Sequence, residues 1–319
     1  MFLLKVARKI YSTLKRTNDE NKYLPMPLDY SGQAASDLIK NKLAAPDPCM
    51  ICRFGTSELN ATVAYLNINR KSEYPFEKSI NYILENNSEF WWSKGVTHGL
   101  GHNAGFFPIT NQSLEAFSNR MLKDVENVDI LGSWITGETK ISNFMKEPTI
   151  VRLKDLEPYY HVNPWSEVLE NKIVLVIHPF EDSIKMQYEK RKLLFKDERT
   201  LPQFELKTLK SIQSIAGNIT QFDTWFDALD YMCEQISNME FDIAIIGAGA
   251  YGLPLASYVK KIGKKSVHLG GATQLLFGIK GNRWDNSPFF QDLYNQYWMR
   301  PSPTEIPNNH KSVEGGSYW

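Results

Sequence analysis

Gly247, Gly249 and Gly252 stand at G-x-G-x-x-G spacing directly behind the apolar run 243–246, with Tyr251 inside the loop. Glycines so spaced let a strand turn sharply into a helix and bring backbone N–H groups, and with them the helix's positive end, up to a phosphate. The chemistry this pattern can do is anion binding. A dinucleotide fold of the NAD type also wants Asp or Glu about 20 residues further on, for the ribose hydroxyls. His268 stands there instead, followed by Gly270 and Gly271, which weakens a nicotinamide or flavin reading. Tight packing of helix on strand is another use of the same glycines. The second glycine pair favours a ligand. Two successive parallel strands ending in glycine-rich loops put both loops on one carboxyl edge, where open α/β sheets collect ligands.

A second strand-to-helix junction lies early in the chain. The apolar run 49–54 stops at Gly55, and 56–65 has helical spacing with Thr56 and Ser57 as capping hydroxyls. Arg53, Gly55, Thr56, Ser57 and Glu58 therefore fall where ligand groups gather. Lys280 and Arg283 follow the second glycine loop as further cations for a phosphate. For a general base the first candidate is Glu58, then His178 and His268, each of which ends an apolar run. Each also has a plain structural use: a carboxylate at a helix start complements the dipole, and a strand-end histidine can be a hydrogen-bonded core residue. His102 in a glycine loop and Glu181 rank lower. Tyr159, Tyr160 and Trp165 could stack on sugar rings or fill a core.

These residues must be positioned by alternating strands and helices. Strands are expected at 49–54, 128–131, 149–153, 172–178, 243–246 and 264–268, with an extended segment at 204–214. Helices are expected at 34–43, 56–65, 76–92, 113–122, 180–192, 222–236 and from Gly252 onward, with a further helix after the turn 132–138 and a loop at 99–108. The pattern predicts an α/β, Rossmann-like fold with a largely parallel sheet and helices on both faces. Three segments are expected: 1–24 as a basic amphipathic helix and linker, 25–155 as an N-terminal half, and 156–319 as a C-terminal half, the last two being open to reading as one continuous domain.

Composition narrows the function. Lys plus Arg equal Asp plus Glu at 36 each among 319 residues, so no field of one sign favours nucleic acid. Three cysteines, Cys49, Cys52 and Cys233, argue against a disulfide scaffold and fit a reducing, cytoplasmic setting. Cys49 and Cys52 form a C-x-x-C without a second pair, and read as small strand residues rather than a metal or redox site. No run approaches the roughly 20 apolar residues of a membrane span. Phe2, Leu3, Val6, Ile10 and Leu14 share one helical face, with Lys5, Arg8, Lys9, Lys15 and Arg16 largely elsewhere. Such a helix can lie on the inner face of an anionic membrane or dock on its own domain. Residues 17–22, with Pro25 and Pro27, read as a linker.

Arg53-Phe-Gly-Thr-Ser-Glu-Leu59 resembles the R-F-G-D-G-E-L signature of glycosyltransferases with the GT-D fold. The strand, glycine loop, helix and strand ending in His268-Leu-Gly-Gly271 is similar to that family's C-terminal half. The resemblance spans 38–132 and 241–284. It implies transfer of a sugar from a nucleotide-sugar donor to a glycan or lipid-linked acceptor in bacterial surface-polysaccharide biosynthesis. In the family, the D-x-E pair is implicated in holding a divalent metal beside the diphosphate. Here Thr56 replaces the aspartate and only Glu58 survives, so Mn or Mg would need oxygen ligands from elsewhere. A non-catalytic nucleotide-sugar binding protein and a dinucleotide oxidoreductase are the alternatives.

Overall fold

The computed structural model describes residues 1–14 and 26–319. Lys15, Arg16, the expected linker 17–22 and Pro25 lie outside the described residues. The strands are β1 (Cys49–Cys52), β2 (Ile130–Ser133), β3 (Thr149–Arg152), β4 (Ile173–His178), β5 (Glu205–Lys210), β6 (Ile243–Ile246) and β7 (Lys265–His268). They form one seven-stranded sheet in the order β3-β2-β1-β7-β6-β4-β5. Every pairing in it is parallel.

The strands read as unbroken apolar runs because both faces are covered. Met50, Cys52, Leu175, Ile177, Ala244 and Ile246 enter one core, while Cys49, Ile51, Val174, Val176, Ile243 and Ile245 enter the other. On the first face pack α3 (Thr56–Asn69), α6 (Asn111–Asp124), α8 (Trp225–Ser237) and α9 (Gly252–Lys261). On the second lie α2 (Gln33–Ala44), α7 (Glu181–Glu189), α10 (Ala272–Leu276) and α11 (Pro288–Leu293). α1 (Phe2–Leu14), α4 (Glu77–Ile83) and α5 (Lys94–His98) complete the helices among the described residues. This is the α/β, Rossmann-like arrangement that the alternation predicts. Cys49 and Cys52, three apart on a strand, point into opposite cores and are both fully buried free thiols.

Four local expectations are corrected. The helix expected at 76–92 stops after α4, because Glu85 turns into the left-handed region (φ 61°) and the Asn86 N–H bonds back to the Asn81 carbonyl at 3.0 Å. The loop expected at 99–108 opens as a π-helical turn, Gly99–Asn103, that continues α5. Residues 132–138 lead only into a short 3-10 turn, Thr136–Lys140. Finally, Gly55 is the N-cap of α3 and no side-chain hydroxyl caps that helix. Its first turn faces the sheet's carboxyl edge, where the Glu58 carboxylate folds over Gly55 and takes the Glu58 N–H.

The sheet order brings distant segments together. β1 pairs with β7 (Ile51 opposite Val267), and β7 pairs with β6 (His268 opposite Ile246). The loops leaving β1, β7 and β6 are therefore neighbours on one edge. Strands from both sides of residue 156 join in this one sheet.

Candidate anion-binding cleft

Three loops meet in a cleft of about 100 Å³ at that edge. The β1–α3 junction contributes Arg53, Gly55, Thr56, Ser57 and Glu58; the loop after β6 contributes Gly249; β7 and its loop contribute His268, Gly270 and Gly271; Arg283 closes one side. Ten of the expected site residues thus line a single space.

Arg53 projects from the end of β1 beneath this space. Its guanidinium carbon lies 4.9 Å from the ring centroid of Trp134, whose indole N–H donates to the Phe54 carbonyl at 3.0 Å. Its Nε is buried and has no hydrogen-bond partner. Burial disfavours the charged form of Arg53, while the negative charge of Glu58 supports it; a guanidinium nevertheless stays protonated in proteins. Gly270 makes room for this side chain: its φ is +62°, and a Cβ there would lie 3.3 Å from Arg53 Nη1. Only glycine meets both conditions without strain.

Glu58 is 8% exposed. Its side chain folds back over Gly55, and burial raises its pKa against the opposing pull of its own backbone N–H and of Arg53. A carboxyl group so placed exchanges a proton more readily near neutrality than an exposed glutamate does.

The opposite wall comes from the far end of the sequence. Glu314 pairs with Arg283, and Arg283 also lies 4.7 Å from the Tyr318 ring centroid. Tyr318 fits against Gly271, where a Cβ would meet the ring at 2.4 Å. The segment is tied down by the Arg283 N–H to the Ser317 carbonyl (3.0 Å) and the Gln274 amide to the Tyr318 carbonyl (3.0 Å).

Asn103, Ala104, Trp134, Glu314 and Tyr318 line the cleft but were not expected there. Trp134 stands just past β2, on the same carboxyl edge, so the rule that singled out the glycine loops could have found it. Its backbone N–H and the Ser133 hydroxyl both donate to Glu138, a fully buried carboxylate. Burial raises the Glu138 pKa, and the Ser133 hydroxyl is the strongest of the hydrogen bonds opposing it. Glu157, after β3, is a further carboxyl near Arg53, raised to about 7 by burial despite its bond from the Tyr159 hydroxyl. Glu314 and Tyr318 belong to the closing segment 313–319, whose residues carry no spacing that points to a chemistry.

Five expected residues sit elsewhere. The turn after β6 is largely filled by the protein itself: a Cβ on Gly247 would meet the Gly270 carbonyl, His178 and Thr273 within 2.7 Å, and one on Gly252 would lie 2.0 Å from His268 Cε1. The Gly247, Ala250 and Tyr251 N–H groups donate to the carbonyls of Ile177, Ala104 and Ala248. Gly247 and Gly252 therefore serve close packing, and Gly249 alone of the three reaches the cleft. Tyr251 is buried against Trp225, ring centroids 5.1 Å apart. Lys280 lies over Tyr294 at 4.9 Å, outside the cleft. His178 is buried with its Nδ1 accepting from the Phe180 N–H at 3.0 Å, and burial lowers its pKa to about 3.

His268 reaches the cleft, but burial, and then the charge of Arg53, hold it down to about 3. Its Nδ1 faces the Ile246 carbonyl at 3.1 Å and so carries the proton. Both histidines are neutral and weakly basic, which leaves Glu58 as the titratable group suited to base chemistry. Among the lower-ranked residues, Trp165 is core with its N–H on the Leu156 carbonyl, Tyr160 stacks on Phe289, and Glu181 pairs with Lys185.

His102 belongs to a larger groove of about 650 Å³, walled by His98, Phe107, Ser214, Asn218, Thr220 and Phe222 among others. Its Nε2 lies 2.9 Å from the Ser312 hydroxyl. Gly101 and His102 line this groove, and the next two residues, Asn103 and Ala104, line the cleft. One π-helical turn thus forms part of both.

The carboxylates of the cleft, Glu58 and Glu314, are each set against a guanidinium. No group of three metal-ligating side chains exists among the described residues. Glu58 shares its cleft with two guanidinium groups, and Glu314 is taken by Arg283. Arg53 is the cleft's guanidinium with an unpartnered buried nitrogen, and it lies beside the first turn of α3.

Fold and site together define an α/β protein with a charged cleft at the carboxyl edge of a parallel sheet. No protein-family model, no curated protein and no solved structure matches the chain.

Proposed function

We propose that this protein is a glycosyltransferase that takes its sugar from a nucleotide-sugar donor, with the donor's diphosphate in the cleft. The observation that carries the reading is Arg53: a guanidinium with a buried, unpartnered Nε, set beside a helix N-terminus and a carboxyl of raised pKa. Departure of a nucleoside diphosphate from an anomeric carbon leaves negative charge on phosphate oxygens. Fixed positive groups in a site shielded from water stabilise that charge in the transition state. Arg53, Arg283 and the first-turn N–H groups of α3 fill this role without a metal ion.

Glu58, in its ionised form, takes the proton of the acceptor hydroxyl as that oxygen bonds to the sugar. Its raised pKa gives the carboxylate more basicity than an exposed one has. The cleft has room for the phosphates and little else, so sugar and acceptor extend into the groove beyond the π-helical turn. There His98, His102, Phe107 and Phe222 offer flat faces, and Asn218 and Thr220 offer polar groups.

The test is a panel of UDP-, GDP- and CMP-sugars read first by thermal stabilisation, since a ligand that binds only the folded state raises its apparent stability. One class is expected to raise Tm, to hydrolyse slowly, and to lose about 100-fold in affinity with Arg53→Met. Glu58→Gln is expected to bind the donor and not turn it over. Donor binding without any turnover by the wild type would instead mark a non-catalytic nucleotide-sugar binding protein. Absence of binding by every nucleotide sugar would remove the proposal altogether.

A further inference from the structure

α1 turns Leu4, Ala7, Arg8 and Tyr11, its half-buried residues, toward the protein, with polar ties alongside them. Lys5 pairs with Glu89 at 3.3 Å. Arg8 donates to the Asn87 carbonyl at 2.9 Å and lies 4.5 Å from the Tyr82 ring centroid. The Ser12 hydroxyl bonds to Glu85. Successive helical residues are about 100° apart, so Leu3, Val6, Ile10 and Leu14 fall on the side away from Arg8. Leu3 and Leu14 are 79% and 81% exposed, Phe2 is 78% exposed, and no residue of the helix is buried. A helix docked only for its own stability keeps its apolar residues inward; this one, besides the half-buried Leu4, Ala7 and Tyr11, leaves a second apolar stripe outward.

We infer that α1 seats the protein on an anionic lipid surface, with its outward apolar stripe entering the boundary between headgroups and acyl chains. Charge selects this occupant. Residues 2–14 contain no Asp or Glu; Lys5 and Arg8 are engaged on the body side, and Lys9 is exposed at the margin of the stripe. Two copies meeting stripe to stripe would bring their Lys9 ammonium groups together, whereas anionic headgroups accept them. The helix has 13 residues and no helix among the described residues can cross a membrane, so it lies in the interface plane. Its ties through Lys5, Arg8 and Ser12 fix its orientation on the body.

The test is sedimentation of the full chain, free of any N-terminal tag, with vesicles of phosphatidylglycerol and phosphatidylethanolamine, and separately with phosphatidylcholine alone. Binding is expected to be strong to the first and weak to the second, and to fall as salt rises. The triple variant Phe2→Ser, Ile10→Ser, Leu14→Ser is expected to lose about tenfold or more in partitioning onto both. Its Tm stays unchanged, because these side chains are exposed. Lys9→Glu is expected to weaken binding to the anionic vesicles alone. Three results would overturn the inference: no sedimentation of the wild type with anionic vesicles, equal binding by the triple variant, or a wild-type dimer that the triple variant abolishes without any vesicle binding.

Discussion

The carboxylate of Glu58 lies folded over Gly55, so near that a Cβ on residue 55 would stand 1.9 Å from Oε2. Gly55 has ordinary extended backbone angles (φ −81°, ψ 143°), so alanine is permitted there by conformation and excluded only by this contact. Gly55→Ala is expected to fold with at most a small loss at the helix cap. It should displace the carboxylate and reduce turnover by about 100-fold, since a shift of about 1 Å in a reacting group has that effect. Paired steady-state kinetics and thermal melts check it; unchanged kcat would separate Glu58 from the chemistry.

Arg53→Met should move affinity and stability in different directions. At mildly acid pH, where burial keeps Glu58 protonated, removing Arg53 leaves no carboxylate unpaired there, and relief of its desolvation offsets the lost contact with Trp134. Calorimetry should show donor binding lost while the melting temperature at mildly acid pH holds or rises. A sharp fall in Tm would instead make Arg53 a structural residue.

Stability should depend on pH through Glu157. Burial, only partly opposed by the Tyr159 hydroxyl and by Arg53, raises this carboxyl from 4.5 to about 7. The folded state therefore keeps a proton that the unfolded chain gives up. The resulting stabilisation is full below about pH 4.5 and is lost as pH rises through about 7. At about 1.4 kcal/mol per pH unit it amounts to on the order of 3 kcal/mol. Glu157→Gln should flatten the Tm profile across this window and be the more stable form at about pH 8. Parallel profiles for the two proteins would place the proton elsewhere.

Gly252→Ala distinguishes a packing turn from a phosphate cradle. A methyl there would collide with the His268 ring, held through Nδ1 by the Ile246 carbonyl. Overpacking of this kind costs about 1–3 kcal/mol. Tm should fall, while donor affinity of the folded fraction stays at the wild-type value. A selective loss of affinity would return the G-x-G-x-x-G turn to ligand binding.

The sheet was legible because its signals are local: runs such as 243–246 and 172–178 need only their own residues to be read as strands covered on both faces. The β1–α3 junction was legible for the same reason, as an apolar run, a glycine and a helical period in sequence. The adjacency of β1 and β7 was not, since register between strands so far apart depends on how whole layers pack. Tyr251 and Gly252 were misplaced because one glycine spacing serves phosphate approach and tight packing equally, and His268 decides between them only in three dimensions. Glu314 and Tyr318 lie in a closing segment whose spacing points to no chemistry, so their place in the cleft was not legible. The early end of α4 turned on a left-handed conformation at Glu85 that a helical count does not register.

The pairing of Cys49 with Lys265 has a consequence for biosynthesis. During translation β1 emerges early and finds β2 on one flank, while its other edge stays unsatisfied until β7 leaves the ribosome. Open apolar edges of this kind are where nascent chains aggregate or recruit chaperones. Expression of the first half alone should therefore yield an insoluble product, and slow elongation before codon 265 should lower the yield of soluble protein from the full message.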